Sequence, residues 1–263
     1  MSSHEHGRQR HPLIFRRVRV EQVIALTPTM RRIVLGGPEL AGFHSAAADD
    51  HAKLFFPHPD GSLVMPVTGP EGTPVYTTGD VRSLARDYTP RLHDASAGTL
   101  AIDFVLHGEG PATSWAAQAQ VGDTIGLGGP RGSFVVAEDF DQYALFGDET
   151  ALPAIARWLE EMPAGRRVDA WIEIPDDADR QPLRTRADAR ITWLPRDGAE
   201  AGARLEAALR DVPQPHGDTF WWIACESRRT RALRQHLEGD RHVPKDWIRA
   251  TGYWKHAGDT GEE

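Results

Sequence analysis

The strongest constraint on the fold of this chain is a change of sequence pattern near Gly132. Before this residue, short segments with alternating or β-branched apolar residues are separated by breaks rich in glycine and proline. Many short strands spaced by such turns are typical of an antiparallel barrel. One helix, residues 112–120, interrupts them after Pro111, which suits the first turn of a helix. The predicted strands lie at residues 15–20, 30–35, 51–56, 99–106 and 123–127.

After Gly132, continuous apolar strands alternate with amphipathic helices. This alternation predicts a mostly parallel, doubly wound sheet. The predicted strands are 142–147, 167–174, 190–194 and 219–224, and the predicted helices are 151–162, 202–209 and 227–237.

The predicted fold is therefore β + α/β, with an antiparallel β-barrel followed by an α/β domain. The barrel is expected over residues 13–138 and the α/β domain over residues 139–258. Residues 1–12 are polar and rich in histidine and arginine, and we expect a disordered tail there. A second short tail is expected at residues 259–263.

Composition excludes several classes of function. The net charge of −8 over 263 residues argues against a nucleic-acid partner, because phosphate contacts need a basic surface. Cys225 is the single cysteine, so the chain can form no internal disulfide and cannot hold an iron–sulfur cluster. One thiol suits a reducing cytoplasm, and no apolar run is long enough to predict a membrane span.

The run Arg-x-Tyr-Thr-x-Arg at residues 86–91 offers a flat aromatic ring, a hydroxyl and two guanidinium groups. The ring can stack, the hydroxyl can bond a ring nitrogen, and an arginine can bind phosphate with two hydrogen bonds. These groups suit a planar, anionic cofactor such as a flavin dinucleotide. The alternative is an edge strand with a solvated arginine face. A flavin on the barrel would face a sheet whose carboxyl strand ends bind dinucleotides, so electrons could pass from nicotinamide to flavin.

Four segments together resemble the siderophore-interacting protein family, which consists of flavin-dependent ferric-siderophore reductases related to the ferredoxin–NADP reductases. They are residues 86–91, 103–115 (DFVLHGEGPATSW), 147–155 and 252–255, and the resemblance extends over roughly residues 13–258. It implies an FAD-binding domain of the ferredoxin-reductase type, an NAD(P)H-binding domain, and a monomer.

The resemblance also implies which residues hold FAD. Arg86, Tyr88 and Thr89, with Arg91 in the same run, match the clamp on the isoalloxazine and the ribityl phosphate, Val105 and His107 lie along the flavin, and Ala112, Thr113 and Ser114 begin the helix that faces the pyrophosphate. For Thr113 and Ser114 the alternative is simple helix capping. His107 is expected to be a positioned neutral histidine rather than a catalytic acid.

On the electron-donor side, the turn Asp148, Glu149 and Thr150 stands where a Gly-x-Gly-x-x-Gly turn is usual. In the family this turn faces the nicotinamide, although strand–helix junctions often carry such residues as caps. Glu173 could bond the adenine ribose, which favours NADH slightly over NADPH. Glu226 ends a predicted strand, and its neighbour Cys225 departs from the family's usual glycine and is expected to be a buried structural thiol.

Two further groups complete the expected site. Tyr253 and Trp254 match a C-terminal aromatic segment that packs near the flavin, or else they pack in the core. Lys53, Arg131 and Lys255 are expected to attract an anionic ferric siderophore.

The expected activity is transfer of electrons from NADH or NADPH, or from a ferredoxin, through FAD to siderophore-bound Fe(III). Two alternatives remain open at this point. One is a general NAD(P)H:flavin oxidoreductase that serves a protein acceptor, and the other is a siderophore-binding protein without enzymatic activity.

Overall fold

The computed structural model describes residues 4–106, 108 and 110–256, and the chain divides into two compact units. The first unit is Met1–Ala137 and the second is Glu138–Glu263. The sequence predicted this division one residue later, between residues 138 and 139.

The first unit is built almost entirely of short strands. Its elements are β1 (Gly7–Arg10), β2 (Phe15–Thr27), β3 (Met30–Gly36), β4 (Ala52–Phe55), β5 (Val67–Thr68), β6 (Pro74–Val75), β7 (Ala85–Tyr88), β8 (Leu92–Asp94), β9 (Thr99–Val105), α1 (Pro111–Gln118), β10 (Thr124–Gly128) and β11 (Gly132–Val135). The five predicted strands correspond to β2, β3, β4, β9 and β10, and the predicted helix corresponds to α1.

Seven of these strands form one antiparallel sheet in the order β7-β4-β10-β2-β3-β9-β8. Strands β7 and β8 stand at opposite ends of this order, yet only residues 89–91 join them. A connection of three residues reaches only about 10–15 Å. The two edges of the sheet must therefore lie close together, which curves the sheet in the way the predicted barrel requires.

The core of the first unit follows from alternation along its strands. On β2, Val18 and Val20 are buried whereas Arg17 and Arg19 are exposed, as expected for a strand with one face inward. Helix α1 covers the same core, because its Trp115 ring lies 5.7 Å from the ring of Phe56.

The expectation of a disordered tail at residues 1–12 is wrong for residues 7–10. These residues form β1, which pairs antiparallel with β11, and all four are exposed. The His6 ring lies 5.0 Å from the Phe134 ring, and the Arg8 guanidinium lies 5.8 Å from the same ring. The backbone of β11 and one aromatic side chain hold the segment, so it needs no apolar pattern of its own.

The second unit alternates strands and helices as predicted. Its elements are β12 (Gln142–Gly147), α2 (Leu152–Glu161), β13 (Arg167–Ile174), β14 (Asp188–Pro195), α3 (Ala203–Asp211), β15 (Thr219–Glu226), α4 (Ser227–Gln235) and β16 (Ile248–Trp254). All neighbours pair in parallel, in the order β14-β13-β12-β15-β16. The order reverses beside β12, so the carboxyl ends of β12 and β15 form a topological switch point, where α/β sheets bind ligands.

Burial in the second unit is deepest on the central strands. All eight residues of β15 are buried. The Phe146 ring on β12 stacks on Trp171 of β13, with centroids 4.4 Å apart and planes 9° apart. Within the described ranges, no helix of either unit is long and apolar enough to cross a bilayer.

Candidate functional site

The run at residues 86–91 begins on β7, the end strand of the first unit's sheet. The Tyr88 ring packs against Phe104, with centroids 4.5 Å apart. Arg86 lies two residues earlier on the same face of the strand, is exposed, and donates from Nη1 to the carbonyl of Ala85 at 2.7 Å. The segment is an edge strand with an exposed arginine, as the structural alternative expects. It also presents a guanidinium and a phenol on one face, as flavin binding would need, so the structure leaves both interpretations open.

Burial raises the pKa of the Tyr88 phenol, and the nearby charge of Arg86 opposes this shift. The hydroxyl therefore stays protonated near neutral pH and can donate a hydrogen bond. Thr89, the next residue, is buried. The structure thus brings together a neutral hydroxyl donor and an exposed cation within three residues.

Arg91 occupies a different environment from Arg86. It is buried, and its Nε lies 3.9 Å from Oδ2 of Asp103. Asp103 also accepts two hydrogen bonds from Arg32, at 2.6 Å and 2.8 Å. These contacts give Arg91 a place in an ion-pair network inside the barrel, and its contact with a cofactor stays a prediction.

Helix α1 begins beside the end of β9, where Val105 is buried. Its first turn carries no acidic residue, and Gly110 is its N-cap. Of the three predicted residues, Ala112 is buried, Thr113 is half-buried and Ser114 is exposed. His107 lies outside the described residues.

The basic residues expected to bind substrate are all near the surface. Lys53 on β4 faces Asp87 on β7, and the two side chains form an ion pair at 2.8 Å with about half of each exposed. Arg131 and Lys255 are exposed. Lys53 and Arg131 belong to the first unit and Lys255 to the second, so their joint action stays a prediction.

In the second unit, acidic side chains gather at the carboxyl edge of the sheet. Asp148 and Glu149 follow β12, Glu173 lies near the end of β13, and Glu226 ends β15. All four are buried. The structure therefore brings all four of these predicted residues to one edge of the sheet.

Asp148 is fully buried at the switch point. Its Oδ1 accepts from the Thr150 hydroxyl at 2.5 Å and from the Thr150 backbone N–H at 3.0 Å, and its Oδ2 accepts from the Trp254 indole Nε1 at 2.7 Å. Burial, and then the neighbouring charge of Glu149, raise the pKa of Asp148 to about 7.

Glu149 and Glu173 share a cation that the sequence analysis did not identify. Arg196 makes two hydrogen bonds to Glu149, at 2.6 Å and 2.7 Å, and one to Glu173 at 3.3 Å. Arg196 directly follows β14, and its position at the carboxyl end of a strand is the signal that could have pointed to it. The guanidinium of Arg196 thus gives both buried carboxyl groups a cationic partner, which offsets part of the cost of burying them.

The expectation that Glu173 binds the adenine ribose needs correction. Its Oε1 accepts from the backbone N–H of Gly202 at 2.7 Å, and its Oε2 accepts from Arg204 and Leu205 at 3.0 Å and 3.2 Å. Together with Arg196, these donors fill the lone pairs of both oxygens. Glu173 anchors the start of α3, so it gives no reason to prefer NADH over NADPH.

Glu226 caps α4 with one oxygen only. Its Oε2 accepts from the backbone N–H groups of Arg228 and Arg229, at 2.7 Å and 2.9 Å. Its Oε1 is buried and has no hydrogen-bond partner among the described residues. An acceptor left in this way at a switch point suits a donor group on a ligand.

Cys225 is buried and free, as the sequence analysis expected of a structural thiol. Its Sγ lies 3.3 Å from the hydroxyl of Thr230, and burial raises the pKa of the thiol. Tyr253 and Trp254 are both half-buried at the end of β16. The Tyr253 ring packs against Trp222 at 6.3 Å, so core packing accounts for part of this pair.

Two family models match successive parts of the chain. The siderophore-interacting FAD-binding domain matches residues 19–134, and the model described as siderophore-interacting protein matches residues 140–257. The NADPH-dependent ferric-chelate reductase of Escherichia coli K12 is 39% identical over 250 residues, covering 94% of this chain and 95% of that protein. The chain belongs to the siderophore-interacting protein family.

Other relatives agree. The ferric vibriobactin reductase ViuB of Vibrio cholerae is 34% identical over 88% of this chain and 85% of its own length. A siderophore utilization protein from T. fusca has a crystal structure with a TM-score of 0.90 and 38% identity, covering 98% of this chain and 99% of that one. The predicted family and the predicted fold are therefore both confirmed.

The residues of this siderophore-interacting protein fit an FAD molecule in the first unit. Arg86 is an exposed cation beside the phenol of Tyr88, and the first turn of α1 has no carboxylate to repel a pyrophosphate. A Cβ atom built on Gly110 would meet nothing within 4 Å, so the start of the helix is open to a ligand. The donor set is cationic and neutral, which is the chemistry that a bound dinucleotide needs.

Proposed function

We propose that this siderophore-interacting protein is a flavin-dependent ferric-siderophore reductase, which uses NAD(P)H to reduce siderophore-bound Fe(III) to Fe(II). The observation that supports this most strongly is the match of the FAD-binding domain to a barrel whose edge strand presents Arg86 and Tyr88. The relatives in Escherichia coli and Vibrio cholerae are both named as ferric reductases. Bound FAD would supply the step from a two-electron donor to a one-electron acceptor.

In this proposal the first unit holds and orients the cofactor. Arg86 binds phosphate, the Tyr88 hydroxyl donates to the flavin, and Thr89 and Val105 line its ring. The backbone N–H groups at the start of α1, around Thr113 and Ser114, face the pyrophosphate. Tyr253 and Trp254 are the aromatic residues that we expect to pack against the flavin.

The pyridine nucleotide binds at the carboxyl edge of the second unit's sheet. The unpaired Oε1 of Glu226 is a suitable acceptor for an amide donor of the nicotinamide. The carboxyl groups of Asp148, Glu149 and Glu173 already accept hydrogen bonds from protein groups and offer a phosphate no donor, so in this proposal backbone amides and remote arginines hold the dinucleotide. NADPH is the first donor to test because the Escherichia coli relative is named for it, and a ferredoxin is the second.

The substrate is an anionic ferric siderophore attracted by Lys53, Arg131 and Lys255. Fe(II) binds hard oxygen ligands more weakly than Fe(III), so reduction releases the metal. No acid or base of the protein is needed for an outer-sphere electron transfer. We place this reaction in the cytoplasm and assign it to a monomer.

Anaerobic absorbance spectroscopy tests the proposal. The purified protein loaded with FAD is mixed with NADPH, NADH or a reduced ferredoxin, and then with a ferric siderophore and a chromogenic Fe(II) chelator. We expect the flavin bands to bleach with a pyridine nucleotide and to return as Fe(II) appears. If the flavin bleaches but no Fe(II) appears, the protein is better explained as an oxidoreductase that serves a protein acceptor. If the protein does not take up FAD, the remaining explanation is a siderophore-binding protein without enzymatic activity.

A further inference from the structure

A buried side chain attaches the C-terminal end of β16 to the switch point. The Asp148 carboxyl group is completely buried, and it accepts from the Trp254 indole at 2.7 Å and from Thr150 at 2.5 Å. Asp148 and Trp254 are 106 residues apart in the sequence. The carboxyl group therefore joins the first strand of the second unit to its last.

Three other features bring Trp254 to this position. The register of β15 and β16 shifts so that Cys225 pairs with Gly252 and Glu226 with Trp254, which makes Tyr253 the extra residue of a bulge. A Cβ atom on Gly252 would lie 2.3 Å from the Ser227 hydroxyl, so only glycine permits this approach. The same hydroxyl donates to the carbonyl of Trp254 at 2.9 Å.

We propose that Asp148 is a positioning residue, whose hydrogen bond to the Trp254 indole fixes the C-terminal aromatic segment and tightens when the carboxyl group loses its proton. The functional consequence rests on the proposed function, in which Trp254 packs against the flavin. Asp148 thus acts on the cofactor through Trp254, and its own oxygens are already occupied by Thr150 and the indole.

The groups around Asp148 place this change of charge near neutral pH. Burial and Glu149 raise its pKa to about 7, while the hydrogen bonds from Thr150 and Trp254 oppose the shift. Glu149 is paired with Arg196. Cys225 is a neutral thiol, because burial first, and then the charges of Asp148, Glu173 and Glu226, raise its pKa. An ionised Asp148 gives the indole a charge-assisted acceptor, which is about twice as strong as a neutral one.

His256 also contacts Trp254. The His256 ring lies 4.7 Å from the indole ring, in an edge-on contact. Because this ring contacts the indole, the test must separate its effect on the Trp254 signal from the effect of Asp148. The variant His256→Gln removes this ring and keeps Asp148.

The indole N–H signals of the holoprotein test the proposal directly. The chain has eight tryptophans, and labelling them with ¹⁵N gives resolvable indole signals that Trp254→Phe and Trp247→Phe assign. Titration from about pH 5.5 to about pH 8.5 should move the Trp254 signal downfield with a midpoint near 7, and Trp247 should stay constant. The shift should persist in His256→Gln and vanish in Asp148→Asn.

A second variant keeps the test decisive if Asp148→Asn does not fold. Thr150→Val removes the hydroxyl that stabilises the ionised carboxylate, so the midpoint of the Trp254 signal should rise by about one pH unit. A Trp254 signal that does not titrate, or that titrates unchanged in both Asp148→Asn and Thr150→Val, would overturn the proposal.

Kinetics then separate this proposal from the proposed function. If Asp148 positions Trp254, Asp148→Asn should change kcat for flavin reduction severalfold and remove its inflection near pH 7, with FAD occupancy retained. A protein whose Trp254 signal titrates as expected but which reduces no ferric siderophore would keep the positioning role and refute the reductase. A protein that reduces the ferric siderophore but whose Trp254 signal does not change with pH would keep the reductase and refute the positioning role.

Discussion

The two sites of this protein are constructed in opposite ways. On the first unit, Arg86 is exposed on an edge strand, the first turn of α1 carries no acidic residue, and the space beside Gly110 is open. On the second unit, Asp148, Glu149 and Glu173 are buried and bonded to partners within the unit.

This contrast separates two kinds of binding. A site with exposed donors can hold an anionic cofactor permanently. A site in which Asp148, Glu149 and Glu173 already have partners, and the Oε1 of Glu226 is the acceptor left for a ligand, offers few hydrogen bonds and releases its ligand more readily. We infer that the first unit provides the affinity for FAD. The acidic edge of the second unit keeps that unit rigid and lets the pyridine nucleotide bind and leave. The predictions below test each half of this comparison.

The largest effect is expected from breaking the ion cluster of the second unit. Arg196→Ala leaves Glu149 and Glu173 buried without their cation, so the free energy of unfolding should fall by about 3–5 kcal/mol. Urea unfolding followed by tryptophan fluorescence measures this, since seven of the eight tryptophans lie in the second unit.

The exposed pair of Arg180 and Asp177 provides the control for that experiment. Arg180→Ala should change the same free energy by less than about 0.5 kcal/mol. Equal losses in the two variants would show that the buried cluster contributes no more than a surface pair, and the contrast between the sites would fail.

The next largest effect concerns the exposed cation of the first unit. In the proposed function Arg86 binds a phosphate of FAD, and Arg86→Ala removes that charge-assisted hydrogen bond. The Kd for FAD should therefore rise about 10- to 100-fold, with little change in the free energy of unfolding. Arg19, an exposed arginine on β2, supplies the control Arg19→Ala. Full FAD occupancy in Arg86→Ala, measured by absorbance after gel filtration, would place the cofactor elsewhere.

A smaller effect follows from the pKa of Asp148. Its value in the folded protein, about 7, lies above the ordinary value of 3.8, so the folded chain retains a proton that the unfolded chain releases. The stability that this proton contributes is present below about pH 4 and is lost as pH rises through about 7. Because Asn does not titrate, the stability of Asp148→Asn relative to the wild type should increase from about pH 5 to about pH 8. Thermal unfolding of both proteins at the two pH values measures this difference. A constant difference between the two proteins would contradict the assignment.

The smallest effect is expected at the surface pair of the first unit. Asp87→Asn frees the charge of Lys53, which should lower KM for an anionic ferric siderophore about two- to threefold at low salt and leave stability nearly unchanged. Lys53→Gln should raise KM by a similar factor. If neither variant alters the salt dependence of KM, Lys53 does not attract the substrate.

Alternation and strand–helix order predicted the two folds because burial enforces them. Val18 and Val20 on β2 must face inward, and the fully buried β15 must be continuous and apolar. Strand β1 was missed because Phe134 and the backbone of β11 hold it, and its own residues are polar and exposed. A strand that is stabilised by its neighbours needs no apolar alternation of its own, so its sequence does not predict it.

The candidate site was predictable in the same partial way. The sequence analysis identified Asp148, Glu149 and Glu173, but it could not show which groups they contact. Trp254 is 106 residues from Asp148, and Arg196 is 47 residues from Glu149. Sequence patterns indicate which edge a carboxylate occupies, whereas tertiary packing decides whether it remains available to a ligand, as Glu173 illustrates.

The central claim is that electrons leave the flavin bound to this chain for siderophore-bound Fe(III). Its most direct test is an anaerobic single turnover, in which the protein is reduced with one equivalent of NADPH and mixed with an excess of ferric siderophore. The account predicts that the flavin absorbance returns in one mixing experiment while about two Fe(II) ions appear per flavin. A flavin that stays reduced in the presence of the ferric siderophore, with no Fe(II) formed, would contradict it.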